Sequence, residues 1–233
     1  MERRTFVGAT AAAAATVALG RKVLPATAVP AEAVPVAFLV GDHVNVIDTA
    51  GPWEVFQDTV APGTSGAPGF SMFTVGPATT PLQATGGLTI VPAYDYRNAP
   101  PAKVIVVPAH RSTDETIEFL RRRTTGADLI MSVCTGAFVL GRAGLLDGRT
   151  ATTHHDFWDE FQQRFPKATL QRGPRFVEHD RIATAGGLTS GIDLALRVVE
   201  RYYGREAAGA TAAYMEYEGR FIGAGATPPA SAR

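Results

Sequence analysis

A chain of 233 residues in which 22 Lys and Arg balance 22 Asp and Glu has no formal net charge, so it lacks the basic excess of a nucleic-acid-binding domain or of a protein held on an anionic membrane. Its hydrophobic content of 45% is that of an ordinary globular domain, and its single cysteine excludes an intrachain disulfide. No internal repeat is visible, which sets aside solenoids and propellers.

The chain opens Met1-Glu2-Arg3-Arg4-Thr5-Phe6-Val7, runs through an Ala-rich uncharged stretch to Gly20, and reaches small-residue sites at Ala26-Thr27-Ala28 and Ala31-Glu32-Ala33. Paired arginines before a modest apolar segment and an Ala-x-Ala site read as a twin-arginine export signal over 1–33. The apolar part, 6–20, is too short and too weakly hydrophobic to span a membrane. Passage through the twin-arginine translocation machinery to the periplasm or the exterior is therefore expected. Removal of the signal would leave roughly 200 residues, which suits one domain with a single large core.

Residues 34–40 form a continuous apolar run of the kind that suits a strand covered on both faces. Asp48-Thr49-Ala50-Gly51-Pro52 breaks it, and a helix is expected from Trp53 with Pro52 near its first turn. Strands are expected over 70–75 and 88–91, separated by turns at Gly76-Pro77 and Gly86-Gly87. A second buried strand, 103–107, ends at Pro108. Ser112 and Glu115 have capping-box spacing for a helix running to Arg123. Residues 128–133 form an apolar strand that leads directly into Cys134 and a helix over 135–143. A turn at 145–148, a short β-branched segment at 150–153, an amphipathic stretch over 156–165 and a hairpin around His179-Asp180 follow. Leu188, Ile192, Ala195, Leu196, Val199 and Tyr203 share one stripe of a long helix, and another helix is expected over 211–217. Residues 224–233 read as a disordered tail.

Strands alternating with helices, two of them wholly apolar, predict an α/β domain with a mostly parallel sheet and helices on both faces. Ligands then belong at the carboxyl ends of the strands, where Asp48, Pro108-Ala109-His110 and Cys134 are expected to meet. Cys134, on a tight strand-to-helix turn, has the layout of a nucleophile elbow, where backbone N–H groups and a helix N-terminus favour a thiolate. A small buried core residue is the equally available reading of a lone cysteine after a strand. Asp48 fits a proton carrier for the thiol, and equally an Asx turn or helix cap before Gly51-Pro52. The N–H groups of Thr135 and of the Ala109-His110 turn fit an oxyanion site, while the Thr135 hydroxyl also fits a bond within its own helix. His154 and His155 are read as support for the site or as a solvent-exposed strand-end pair.

Four blocks carry a resemblance: Ile47-Asp48-Thr49-Ala50-Gly51-Pro52-Trp53-Glu54, Ser132-Val133-Cys134-Thr135-Gly136-Ala137, Ala143-Gly144-Leu145-Leu146-Asp147-Gly148-Arg149, and Ala185-Gly186-Gly187-Leu188-Thr189-Ser190-Gly191-Ile192-Asp193. They resemble the ThiJ/PfpI (DJ-one/PfpI) superfamily, a glutamine amidotransferase-like fold, most closely its isonitrile hydratase branch and the sensor domains of AraC-type regulators. The resemblance spans 34–217 within a domain taken as 34–223. It implies a flavodoxin-like three-layer α/β sandwich, a homodimer, a small-molecule substrate, no metal and no organic cofactor. It also implies Cys134 as nucleophile, Asp48 as its acidic partner and Thr135 as the assisting threonine of a lyase that hydrates isonitriles.

The chain departs from its relatives in having Ala109-His110 where many carry two glycines, and His155 where several have tryptophan. Glu178-His179 is in the wrong order for an amidotransferase triad. Two other functions remain open on sequence: a glyoxalase- or deglycase-like activity using His110 or His154 to move protons, and a binding domain without turnover. A direct DNA-binding role is not expected, because the stretch after Tyr217 is too short for a paired helix-turn-helix module.

Overall fold

The computed structural model describes residues 32–218. The expected signal at 1–33, apart from its last two residues, and the tail at 224–233 lie outside the described residues. Eleven strands are described: β1 (Val34–Leu39), β2 (Phe70–Gly76), β3 (Leu82–Gln83), β4 (Thr89–Ile90), β5 (Tyr94–Asp95), β6 (Val104–Val107), β7 (Leu129–Val133), β8 (Thr150–Ala151), β9 (Thr169–Leu170), β10 (Phe176–His179) and β11 (Ile182–Ala185). The helices are α1 (Val46–Gln57), α2 (Asp114–Arg123), α3 (Gly136–Arg142), α4 (Trp158–Arg164) and α5 (Ser190–Tyr214).

Seven strands make one sheet in the order β10-β11-β7-β6-β1-β2-β5, parallel throughout except for the β10–β11 hairpin. Side chains alternate between two apolar layers with the period of two that a strand imposes. Val36 and Phe38 of β1, Val104 and Val106 of β6, and Met131 and Val133 of β7 face one layer, covered by α1 and α5. Ala37 and Leu39, Ile105 and Val107, and Ile130 face the other, which α2, α3 and α4 fill with Leu120, Leu140 and Phe161. Each of these large side chains is almost fully excluded from water, which contributes about 1.5–3 kcal/mol per side chain before the entropy of ordering is set against it. The three-layer α/β sandwich expected from the sequence is the fold observed.

The structure corrects several boundaries. Helix α1 begins at Val46, seven residues before Trp53, because Asn45 is extended (φ −72°, ψ 125°) and its side chain accepts the N–H groups of Ile47 and Asp48. Pro52 lies inside this helix rather than in its first turn. Residues 88–91 do not join the main sheet: β4 pairs with β3 in a separate two-stranded ribbon. Thr113 and Thr116, not Ser112 and Glu115, make the capping box of α2, and the Ser112 hydroxyl instead accepts from Arg142. Leu188 stands outside α5 in the left-handed region (φ 53°), and Gly204 (φ 86°, ψ 168°) interrupts that helix before its last ten residues. Among the described residues no helix is long and apolar enough to cross a membrane.

Candidate active site

The parallel strands bring their carboxyl ends to one rim, and Cys134 stands there between β7 and α3. Its backbone is left-handed (φ 58°), a conformation costing a non-glycine residue about 1–3 kcal/mol unless its surroundings fix it. The surroundings do so. The Cys134 N–H donates to the carbonyl of Gly186 at 2.7 Å and its carbonyl accepts the Thr153 hydroxyl at 2.8 Å. Gly136 is required by close approach: a Cβ there would lie 2.0 Å from the Val107 carbonyl oxygen. Without a side chain, the start of α3 can press against the end of β6 and turn Cys134 toward the rim.

Asp48 reaches the same point from the other side. As the third residue of α1 it is fully buried, and its Oδ2 accepts the Ala109 N–H at 3.2 Å. The Asn45 N–H donates to the Ala109 carbonyl at 2.8 Å, so helix start and β6 turn hold each other. Oδ1 makes no hydrogen bond of strict geometry, and the Cys134 thiol stands beside the carboxyl as its remaining, looser donor. Burial dominates the balance of forces: it raises the Asp48 pKa to about 7 against the opposing bonds from Ala109 and Cys134.

The thiol behaves opposite to the expectation drawn from the elbow. Burial, followed by the charge of Asp48, pushes Cys134 up to about 11, although the N–H groups of Thr135 and Leu188 and the Thr135 hydroxyl all turn to the sulfur and pull the other way. Two acids in one desolvated space cannot both ionise readily, and helix α3, seven residues long, is too short to reverse that. Between the two titrations the pair holds one proton.

The structure thus brings Asp48, Cys134 and Thr135 together. Of the turn expected to supply an oxyanion donor, the Ala109 N–H serves Asp48, and the Thr135 N–H points at the sulfur itself. His110 places its ring against Gly41, where a Cβ would be 2.6 Å from Cδ2. Its Nδ1 lies 2.9 Å from the Pro108 carbonyl, so Nδ1 carries the proton and donates, while Nε2 is buried without a partner. Burial lowers its pKa to about 4, keeping the ring neutral. A cavity of about 280 Å³ begins at His110 and Thr135 and is walled by Phe138, Phe157 and Arg142. Cys134, 6% exposed, is not among the residues that line it, although its neighbour Thr135 is.

His154 does not touch the sulfur. Its Nδ1 accepts the Asp156 N–H at 3.2 Å, its ring stacks on His155 at 4.4 Å, and it abuts Gly187, where a Cβ would lie 2.2 Å from the ring. His154, His155 and Asp156 bring ligand atoms within 4.8 Å of one another, but the cap of the turn already uses the His154 Nδ1 lone pair. Glu178 pairs with Arg197 and Arg201 on the hairpin, consistent with a structural role. Two contributors escaped the sequence reading: Asn45, whose only signal was its place ahead of an unrecognised helix start, and Leu188, which acts through its backbone.

Comparison with known proteins agrees with this architecture. The model of the DJ-1/PfpI family matches residues 34–201. The chain is 30% identical to isonitrile hydratase of Pseudomonas putida over 194 residues, covering 79% of each chain. It is 29% identical over 188 residues to the HTH-type transcriptional regulator GbdR of Pseudomonas aeruginosa, of which it spans 50%. A crystal structure of a ThiJ/PfpI family protein from Pseudomonas syringae superposes with a TM-score of 0.72 at 26% identity, covering 92% of this chain and 89% of that one. The fold, the left-handed cysteine on its elbow and these matches converge: the chain belongs to the DJ-1/PfpI family.

Proposed function

We propose that the protein is a cysteine-dependent hydratase of isonitriles, with Cys134 as nucleophile, Asp48 as proton carrier and Thr135 as the residue that holds the sulfur. The observation that carries this reading is the buried carboxyl of Asp48 beside the Cys134 thiol at the end of β7. Sulfur attacks the terminal isonitrile carbon and forms a C–S bond. The thiol proton passes to Asp48 and from Asp48 to that same carbon, giving a thioimidate. Water adds across the C=N bond, its oxygen to this carbon and one proton to the nitrogen; the C–S bond then breaks, the remaining hydroxyl proton goes to the sulfur and an N-substituted formamide leaves. The 30% identity to isonitrile hydratase supports the assignment of substrate class.

Formation of N-cyclohexylformamide from cyclohexyl isonitrile tests the reading. Cys134→Ala and Asp48→Asn are each expected to lower turnover by at least about a hundredfold, the scale on which positioned acid–base groups act. Turnover unchanged by Cys134→Ala would remove the nucleophile. A second reading, a small-molecule binding domain without turnover, is favoured by the similarity to half of GbdR. Saturable binding of isonitriles without formamide would select it. We further propose export by the twin-arginine route: Arg3→Lys with Arg4→Lys is expected to keep the protein in the cytoplasmic fraction, and unchanged fractionation would refute this.

A further inference from the structure

The loop between β11 and α5, Gly186-Gly187-Leu188-Thr189, carries a donor for the sulfur but no side chain that reaches it. Leu188 leaves its own side chain 41% exposed and adopts φ 53°, so its N–H points at Cys134 only while the loop is held in an unfavourable backbone shape. Three bonds from one residue do the holding. The Arg175 carbonyl accepts the Gly186 N–H at 2.8 Å, its Nη2 donates to the Thr189 hydroxyl at 3.1 Å, and its Nε donates to Oδ2 of Asp193 in the first turn of α5. Asp193 is fully buried and Arg175 is its cationic partner, so removal of the guanidinium would leave a buried charge uncompensated. The Tyr217 hydroxyl faces both members of this pair. On the far side of the loop the His154 ring closes the space at Gly187.

We infer that Arg175, through Thr189 and Asp193, is a positioning residue for the sulfur: its planar fork fixes the loop that presents the Leu188 N–H to Cys134. The inference deepens the proposed function, since it names what sets the reactivity of the nucleophile that reading assigns. A fork is needed because a single point charge can neutralise Asp193 but cannot also reach Thr189 in fixed geometry. The titratable group facing the sulfur is Asp48 on α1; the clamp is the pair Arg175 and Asp193, faced by the neutral hydroxyl of Tyr217.

The test uses the full-length chain, whose lone cysteine makes every thiol signal specific. Alkylation by iodoacetamide is followed from neutral to alkaline pH, together with the infrared S–H stretching band. Thr189→Val and Arg175→Lys are each expected to slow alkylation about tenfold at pH values below the titration of the thiol, with the difference closing as the sulfur ionises, and to move the S–H band, as loss of one donor to an ionising sulfur requires. Thr189→Ser, which restores the hydroxyl, should match the original chain. Should Arg175→Lys fail to fold, Thr189→Val alone decides, because it changes a hydroxyl for a methyl in place. Folded Thr189→Val protein with unchanged alkylation and an unchanged band, or with faster alkylation, overturns the inference. Neither readout uses an isonitrile, so failure here and failure of the hydratase reading are separate results.

Discussion

Asp48 is the residue on which pH should act first. With its pKa raised from 3.8 to about 7, the folded chain binds more protons than the unfolded chain between those values. The contribution of this group to stability is therefore full below the unfolded value, declines as pH rises through the window and levels above about 7. Asp48→Asn keeps an oxygen for the Ala109 N–H and removes the titration. It is predicted to be more stable than the original chain at alkaline pH by about 2–4 kcal/mol, with the difference shrinking toward zero in acid. Urea denaturation of both proteins at alkaline and acidic pH measures this, and a difference independent of pH would contradict it. Activity should run the other way. Only ionised Asp48 can accept the thiol proton, so kcat/KM for an isonitrile is predicted to rise about tenfold per pH unit below 7 and then flatten. A profile flat from acid to neutral pH would separate the carboxyl from the reaction. At this scale the sequence was most readable where a side chain defines the candidate site: Asp48, Cys134 and Thr135 stand together as expected. Leu188 was not readable because an N–H is common to every residue but proline, and the raised thiol pKa was not, because desolvation depends on what the rest of the fold excludes.

At the level of elements, the contacts that aim the elbow are glycine contacts, and their consequences differ in sign. A methyl group at Gly136 would meet the carbonyl oxygens of Val107 and Pro108 at 2.0 and 3.0 Å, and Val107, paired with Ser132, cannot retreat without disturbing the β6–β7 pairing. Gly136→Ala is predicted to cost at least about 3 kcal/mol or to abolish soluble expression. Gly209, on the exposed side of α5 with nothing within 4 Å of the place a methyl would take, is the contrasting case. Gly209→Ala should stabilise by about 0.5–1 kcal/mol through helix propensity alone. Equal effects in urea titrations of the two variants would mean that close approach is not what Gly136 provides. Elements with a strong period were legible from sequence, β1, β6, β7 and the first part of α5 above all. The start of α1 was misplaced because Pro52 fits a first turn so well that the cap at Asn45 was passed over; proline inside a helix loses one backbone bond, and the packing of Pro52 near Gly191 against α5 tolerates it. Of the two-residue strands, β4 and β8 lie inside segments the sequence marked as extended, while β3 and β9 are set by the partner each finds, Ile90 for Leu82 and Thr150 for Thr169, which their own short pattern does not encode.

On the scale of the whole molecule, the question is whether the two apolar layers fold as one. They share every interior strand: neighbouring residues of β1, Phe38 and Leu39, are both fully buried yet face opposite layers. The sheet is the wall common to both cores, so loss of either layer bares one face of the strands on which the other layer rests. The chain contains two tryptophans, and they report on opposite sides. Trp53 on α1 packs at 4.9 Å from the Phe38 ring in the layer of α1 and α5, while Trp158 starts α4 and donates its indole N–H to the Thr153 carbonyl at 3.0 Å. Fluorescence of Trp53→Phe and Trp158→Phe variants should therefore give urea transitions with the same midpoint and slope, coincident with the loss of circular dichroism. The link extends to function, since the Thr153 that accepts from Trp158 also donates its hydroxyl to the carbonyl of Cys134. Alkylation of Cys134 in rising urea should accelerate along that same curve. An earlier rise would mean that the rim opens while the sheet stays folded, and that the elbow is a separate cooperative unit from the layers beneath it.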